Sequence, residues 1–238
     1  MPSVAVVTGS SRGIGLSVAR AVAALSPPDC GLVLVCRDKG RGDAAAAELV
    51  EEAGGAKVWC EQCDVSRWED VEQLRQRLEA GGLKVWLLVN NAAECPLEQQ
   101  LVQRNKKDGQ VVTVDKQFAT NVLGYHFMMA AFLRPDMADD GILCINVASN
   151  WAGDLNLDDL DFGARGYDPD SAYRQSKAAD RMLTQEWASR TAELPYTLVW
   201  RVKLIQEYLL LNGLWTRVIP CQIKEKQAPT RHRPMAHP

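Results

Sequence analysis

The sequence predicts an α/β protein: a parallel sheet with helices on both faces. Two observations predict it. Short apolar runs alternate with stretches of helical spacing at least five times along the chain, which is the pattern of successive βαβ units. Hydrophobic residues make up 47% of the 238 positions, enough for the core of one large domain.

The elements follow in order. Residues 3–8 are Val-rich and bounded by glycine, a buried strand. Residues 14–25 repeat apolar side chains at helical spacing and stop at Pro27–Pro28. A second strand is predicted at 32–36. An Ala-rich helix follows at 43–52, ended by Gly54–Gly55. A third strand at 57–63, a helix at 68–78 and a fourth strand at 85–89 continue the alternation. The polar stretch 96–110 reads as a loop or short excursion. A long helix at 117–133 leads to a fifth strand at 142–147. Residues 151–170 are rich in Asp and Gly, lack a period and read as a long loop. A helix at 172–190 and a sixth strand at 196–200 close the pattern. Beyond Trp200 the alternation weakens. Residues 204–215 could form an amphipathic helix, and 224–238 are basic, polar and proline-bearing, a composition expected to fray.

Several function classes are disfavoured. The formal net charge is −3 with both signs mixed along the chain, unlike the basic face of a nucleic-acid binder. Seven cysteines, an odd number without framework spacing, point to a reducing compartment such as the cytoplasm. No apolar stretch reaches the ~20 residues that cross a bilayer. The opening segment has no basic region ahead of its apolar run and reads as a strand rather than a signal peptide. Cys60 and Cys63 lie on a predicted strand, where residues three apart face opposite sides, and no second pair completes a zinc site. No metal is therefore expected. A Gly-x-Ser-x-Gly elbow is absent, which argues against a serine hydrolase.

Two regions carry chemistry. Thr8-Gly9-Ser10-Ser11-Arg12-Gly13-Ile14-Gly15 joins the first strand to the first helix. Glycines there allow close backbone approach to a pyrophosphate, and the helix N-terminus offers free N–H groups. After the second strand stands Arg37, where an NAD site usually places an acid for the ribose 2′-OH. A guanidinium suits a 2′-phosphate instead, and Arg12 could close on the same group; Asp38 keeps the other choice open. Asp64 and Asn90-Asn91-Ala92-Ala93 fall at further strand ends. As lone residues they would more often be turn formers. The second region is Tyr173-Arg174-Gln175-Ser176-Lys177. Its Tyr and Lys lie one turn apart on a helix face, and a nearby ammonium favours the phenolate. Such a phenol can exchange a proton with an alcohol near neutral pH. Ser149 follows the fifth strand, and Asn121 sits inside a helix, a poor place for Asn by propensity.

Taken together, Thr8–Gly15, Asp64, Asn90–Ala93, Asn121, Ser149 and Tyr173–Lys177 resemble the short-chain dehydrogenase/reductase family in order and spacing. The resemblance covers roughly 4–200. It implies a single-domain Rossmann fold of strand order 3-2-1-4-5-6, using NADP(H), or less fittingly NAD(H), without a metal. By position, Tyr173 would be the acid/base. Lys177 would lower its pKa and hold the nicotinamide ribose, Ser149 would orient the substrate oxygen, and Asn121 would anchor a relay water. Gly9, Ser11, Arg12, Gly13, Ile14, Gly15, Arg37, Asp64, Asn91 and Ala92 would line the cofactor with Tyr173 and Lys177. The stretches 118–124, 157–160 and 167–177 are similar to the retinol dehydrogenase and WW-domain oxidoreductase branch. That similarity implies a lipophilic carbonyl or alcohol substrate and a homodimer or homotetramer. Three departures stand out. Ala93 replaces a usual glycine, and Ala148-Ser149-Asn150 replaces a Ser-Ser pair. Trp200 runs into Arg201-Val202-Lys203-Leu204 without the family's Pro-Gly turn. A seventh strand is not recognisable, and residues 201–238 form an atypical segment. The expectations are thus an active oxidoreductase, or a nucleotide-binding protein with little turnover; a module that reuses the fold for interaction is the third.

Overall fold

The computed structural model of the chain describes residues 2–27, 29–105 and 109–201. Eight strands and six helices follow in order: β1 (Ser3–Thr8), α1 (Gly13–Leu25), β2 (Gly31–Cys36), α2 (Lys39–Glu52), β3 (Val58–Gln62), α3 (Trp68–Ala80), β4 (Lys84–Asn90), β5 (Leu101–Asn105), β6 (Val111–Asp115), α4 (Lys116–Phe118), α5 (Gly124–Phe132), β7 (Ala138–Val147), α6 (Pro169–Arg190) and β8 (Thr197–Arg201). A π-helical stretch, Ala119–Leu123, joins α4 to α5.

Six strands form one sheet in the order β3-β2-β1-β4-β7-β8, every pair parallel. This is the predicted doubly wound order once the small hairpin β5–β6 is set aside. The central strands are buried on both faces, and all six residues of β2 are buried. Each face therefore has its own core. On one, Val18, Ala19 and Val22 of α1 and Ala45, Ala46 and Leu49 of α2 pack on Ala5, Val7, Leu32 and Leu34. On the other, Val71, Leu74 and Leu78 of α3 and Met128, Met129 and Phe132 of α5 pack on Val4, Val6, Val33 and Leu88. Burying each such Val, Leu, Met or Phe side chain fully stabilises the fold by about 1.5–3 kcal/mol. Cys60 belongs to the first core and Cys63 to the second, so the two thiols face apart.

Four local differences from the sequence pattern have physical causes. The stretch read as a loop contributes β5, which pairs with β6 as an antiparallel hairpin, Leu101 opposite Asp115 and Asn105 opposite Val111. Its strands pack on no core cluster, so no buried apolar period marks them. β7 starts at Ala138, ahead of its apolar run, and the register shifts between the Ala138–Val85 and Leu143–Leu87 pairs. Asp139, Asp140 and Gly141 occupy the shift and hide the strand. α2 starts earlier than predicted because Asp38 caps it, accepting from the Arg41 N–H at 2.9 Å. α6 likewise starts at Pro169, the favoured first position, behind Asp168, which accepts from Ser171 N–H at 2.8 Å. The expected helix at 204–215, the fraying tail and the missing seventh strand lie outside the described residues.

A buried polar ladder ties the sheet to α6. Asn90 Nδ2 donates to Asn146 Oδ1 at 2.8 Å, and Asn146 Nδ2 donates to Thr184 Oγ1 at 2.8 Å. Thr184 Oγ1 donates in turn to the Asp180 carbonyl at 2.7 Å.

Candidate active site

The glycine loop lies at the carboxyl end of β1, between the ends of β2 and β4. Gly9 has φ of 66°, and its N–H donates to the Val35 carbonyl at 2.9 Å. A side chain there would be strained and would press on Ala92 Cα at 2.8 Å. Gly15 is needed for closeness: a Cβ would meet Gly9 O at 2.3 Å and Asn91 Nδ2 at 2.5 Å. Thr8 and Asn91 lock the loop. Thr8 Oγ1 accepts from Asn91 N–H at 2.9 Å and Ala92 N–H at 3.0 Å, while Asn91 Nδ2 donates to Thr8 O at 2.9 Å. Arg12 precedes α1 without a side-chain cap on the helix, and the first turn carries no acid. The free N–H groups and dipole end of α1 are thus open to an anion. Arg12, Gly13 and Ile14 are exposed beside it, Ser11 is half-buried, and Gly15 is buried beneath. This set of donors and small residues fits a dinucleotide pyrophosphate.

Arg37 stands at the end of β2 with its side chain 59% exposed, and it is ion-paired to Glu94 beyond β4. Lys116 reaches the other Glu94 oxygen at 3.3 Å. Asp38 is occupied as the α2 cap and is held below its usual carboxylate range by the Arg41 backbone and side chain. Asp64 Oδ1 accepts from Ser66 N–H at 3.0 Å and Ser66 Oγ at 2.7 Å, so part of its carboxylate serves a turn.

At the other end of the site, α6 presents Tyr173 and β7 leads into Ser149. Both line a cavity of about 430 Å³ together with Cys95, Asn150, Trp151 and Asp170. Ser149 Oγ accepts from Trp151 N–H at 3.1 Å. Arg181 Nη2 holds the Ser149 carbonyl at 2.6 Å. The Tyr173 hydroxyl has no hydrogen bond among the described residues. Trp151 is 64% exposed, an indole at the mouth of the cavity.

Lys177 and Asn121 are placed differently. Lys177 is 2% exposed and points inward. Its ammonium donates to Val147 O at 2.9 Å, Asp180 Oδ2 at 2.9 Å and Tyr125 Oη at 3.3 Å. It also sits 4.7 Å from the Tyr125 ring centroid. Burial opposes the Lys177 charge, but Tyr125 and Asp180 outweigh it and raise its pKa. Burial pushes the Asp180 carboxyl up to about 7 against the pull of Lys177, and pushes the Tyr125 phenol up as well. Asn121 is fully buried in the π-helical stretch. Its Nδ2 donates to Glu94 O at 3.0 Å and Ser176 Oγ at 3.0 Å, and its Oδ1 accepts from Glu94 N–H at 2.8 Å. The structure therefore brings Tyr173 and Ser149 to one cavity, sets Lys177 behind it and makes Asn121 a clasp between α6 and the segment after β4. Sequence reasoning missed Glu94, Tyr125, Asp180 and Arg181. The one available signal was an acid three residues past Lys177, inside a helix face that must be buried.

The family model for short chain dehydrogenases matches residues 3–195. Retinol dehydrogenase 13 of Mus musculus is 28% identical over 190 residues, 78% of this chain and 53% of the relative. Polyprenol dehydrogenase of Homo sapiens is 27% identical over 206 residues, 80% of this chain and 58% of the relative. The chain thus spans a little over half the length of these curated relatives. Among solved structures, L-sorbose reductase from Gluconobacter frateurii, complexed with NADPH and L-sorbose, superposes with a TM-score of 0.62 at 26% identity. That match covers 83% of this chain and 67% of the reductase. With the glycine loop, the parallel sheet and the Tyr173–Lys177 helix in place, the chain belongs to the short-chain dehydrogenase family and resembles its retinol dehydrogenases.

Proposed function

We propose that the chain is an NADP(H)-dependent oxidoreductase that interconverts a lipophilic carbonyl and its alcohol. One observation carries the proposal: Tyr173 and Ser149 line the same cavity, so a substrate oxygen can meet both hydroxyls. The bound nicotinamide would supply or accept the hydride. This chain's own groups do the rest. Ser149 Oγ donates to the substrate oxygen and orients it. Tyr173 gives its proton to the alkoxide as the carbonyl is reduced, and takes it back in the reverse direction. Gly9, Ser11, Arg12, Gly13, Ile14, Gly15, Asn91 and Ala92 would hold the pyrophosphate and adjoining ribose, with Asp64 beside the adenosine. Arg37 supports a 2′-phosphate, and the similarity to a reductase complexed with NADPH agrees with it. Trp151 at the mouth, and the similarity to retinol and polyprenol dehydrogenases, support an apolar substrate.

A second reading, dinucleotide binding with little turnover, is favoured by the inward setting of Lys177. Both are tested by titrating purified protein with NADPH and assaying aldehydes and ketones, retinal among them. On the first reading, Tyr173→Phe leaves NADPH binding intact and lowers turnover about 10²–10⁴-fold, the usual worth of a positioned acid. Turnover that survives the substitution overturns the assignment, and binding without Tyr173-dependent turnover selects the second reading.

A further inference from the structure

The Lys177 ammonium has three N–H donors and no acceptor. All three face acceptors of the protein itself: the Val147 carbonyl, the Tyr125 hydroxyl and Asp180 Oδ2. No donor is left for a nicotinamide ribose. The groups facing the ammonium come from every element packed on it: Val147 from β7, Tyr125 from α5, Tyr173 and Asp180 from its own helix. Asp180 is the one carboxylate in its hydrogen-bonding set and is 0% exposed. Among the described residues its Oδ1 has no hydrogen-bond partner, and its Oδ2 is bonded to Lys177. A buried carboxylate costs free energy unless paired. The helix carries it three residues past Lys177, which itself lies one turn past Tyr173.

We propose that Asp180 is a positioning residue for Lys177: it draws the ammonium inward, to a resting place that the amine must leave before it can serve a bound dinucleotide. The proposal deepens the dinucleotide reading above. It makes the affinity for the cofactor depend on a residue that would not touch it. A neutral isostere at this position still offers an oxygen to the amine but no longer an opposing charge, so ribose hydroxyls compete for the ammonium on better terms.

Two measurements on the full chain test it. The first needs no ligand: reductive methylation of Lys177 with formaldehyde and borohydride, followed as the mass of its tryptic peptide. Asp180→Asn should label several-fold faster than wild type, since the amine has lost the charge that holds its proton. The second is the Kd of NADPH at pH 6 and pH 8. The ratio of wild-type to Asp180→Asn Kd should lie near one at pH 6 and rise to about tenfold at pH 8, where the wild-type carboxylate is ionised; the ligand's own titration cancels in the ratio. If Asp180→Asn fails to fold, Tyr125→Phe frees one donor with both charges intact and should tighten NADPH binding at both pH values. An unchanged labelling rate overturns the proposal. So does a Kd ratio of one at both pH values, or NADPH binding no tighter in either variant, whereas a ratio of about ten at both values supports it with the carboxylate ionised throughout. Failure of every protein, wild type included, to bind NADPH would overturn the dinucleotide reading instead, and the labelling rate would still decide the role of Asp180.

Discussion

At the residue scale, the charges around the site are paired with one another. Glu94 takes Arg37 and Lys116 together, so the guanidinium proposed for a 2′-phosphate already has an anion beside it. Arg37 is more than half exposed, and exposed ion pairs are worth about 0–1 kcal/mol. Glu94→Gln should therefore tighten NADPH binding by no more than about fivefold, with a smaller effect on NADH; parallel fluorescence titrations of the two nucleotides would show it. A larger gain for NADH would assign Glu94 to the ribose hydroxyl. Asp180 makes a separate prediction about stability. Its carboxyl is raised from 3.8 to about 7 in the folded chain, so the folded state binds that proton more tightly than the unfolded state. Its contribution is greatest below pH 3.8 and is lost as pH rises through about 7. The Tm of wild type should accordingly fall, relative to Asp180→Asn, as pH is raised from 4 to 7. Tyr173, Lys177, Ser149 and the glycines could be singled out in the sequence because together, in order and spacing, they resemble a known family's pattern. Glu94, Tyr125 and Asp180 were not, since their meaning lies in partners 57, 52 and three positions away.

At the element scale, capping decides where the functional helix begins. Asp168 and Pro169 set the first turn of α6, and with it the rise of Tyr173 toward the cavity. Asp168→Ala should lower the midpoint of urea unfolding by removing the cap, and Asp168→Asn, which still accepts the Ser171 N–H, should restore most of it. The periodic interiors of the helices and buried strands could be read from the chain. Their ends could not, because a cap is one side chain and β7 begins among Asp139, Asp140 and Gly141. The β5–β6 hairpin escaped for a different reason. Its Val111, Val112 and Val114 have strand propensity, but Leu101 and Val111 are each 57% exposed and no core face imposes a pattern.

At the scale of the whole molecule, the parallel sheet assembles the site by bringing distant strand ends to one edge. Thr8, Arg37, Asn91 and Ser149 come from the carboxyl ends of β1, β2, β4 and β7 or just beyond them. Ligands of open α/β sheets lie at that edge. The parallel sheet was readable from the alternation of elements, and its strand order from the family resemblance. The Asn90–Asn146–Thr184 ladder has a consequence for how this arrangement is reached. A one-residue slip of β7 against β4 would turn Asn146 to the opposite face and break its bonds to Asn90 and Thr184 at once. The two amides would then lose the bond they share, at about 1–3 kcal/mol for each buried group left unpaired, while Thr184 would keep only its bond to the Asp180 carbonyl. Pairing in the wrong register is thereby made self-rejecting, and the height of α6 on the sheet is tied to the register of β4 with β7.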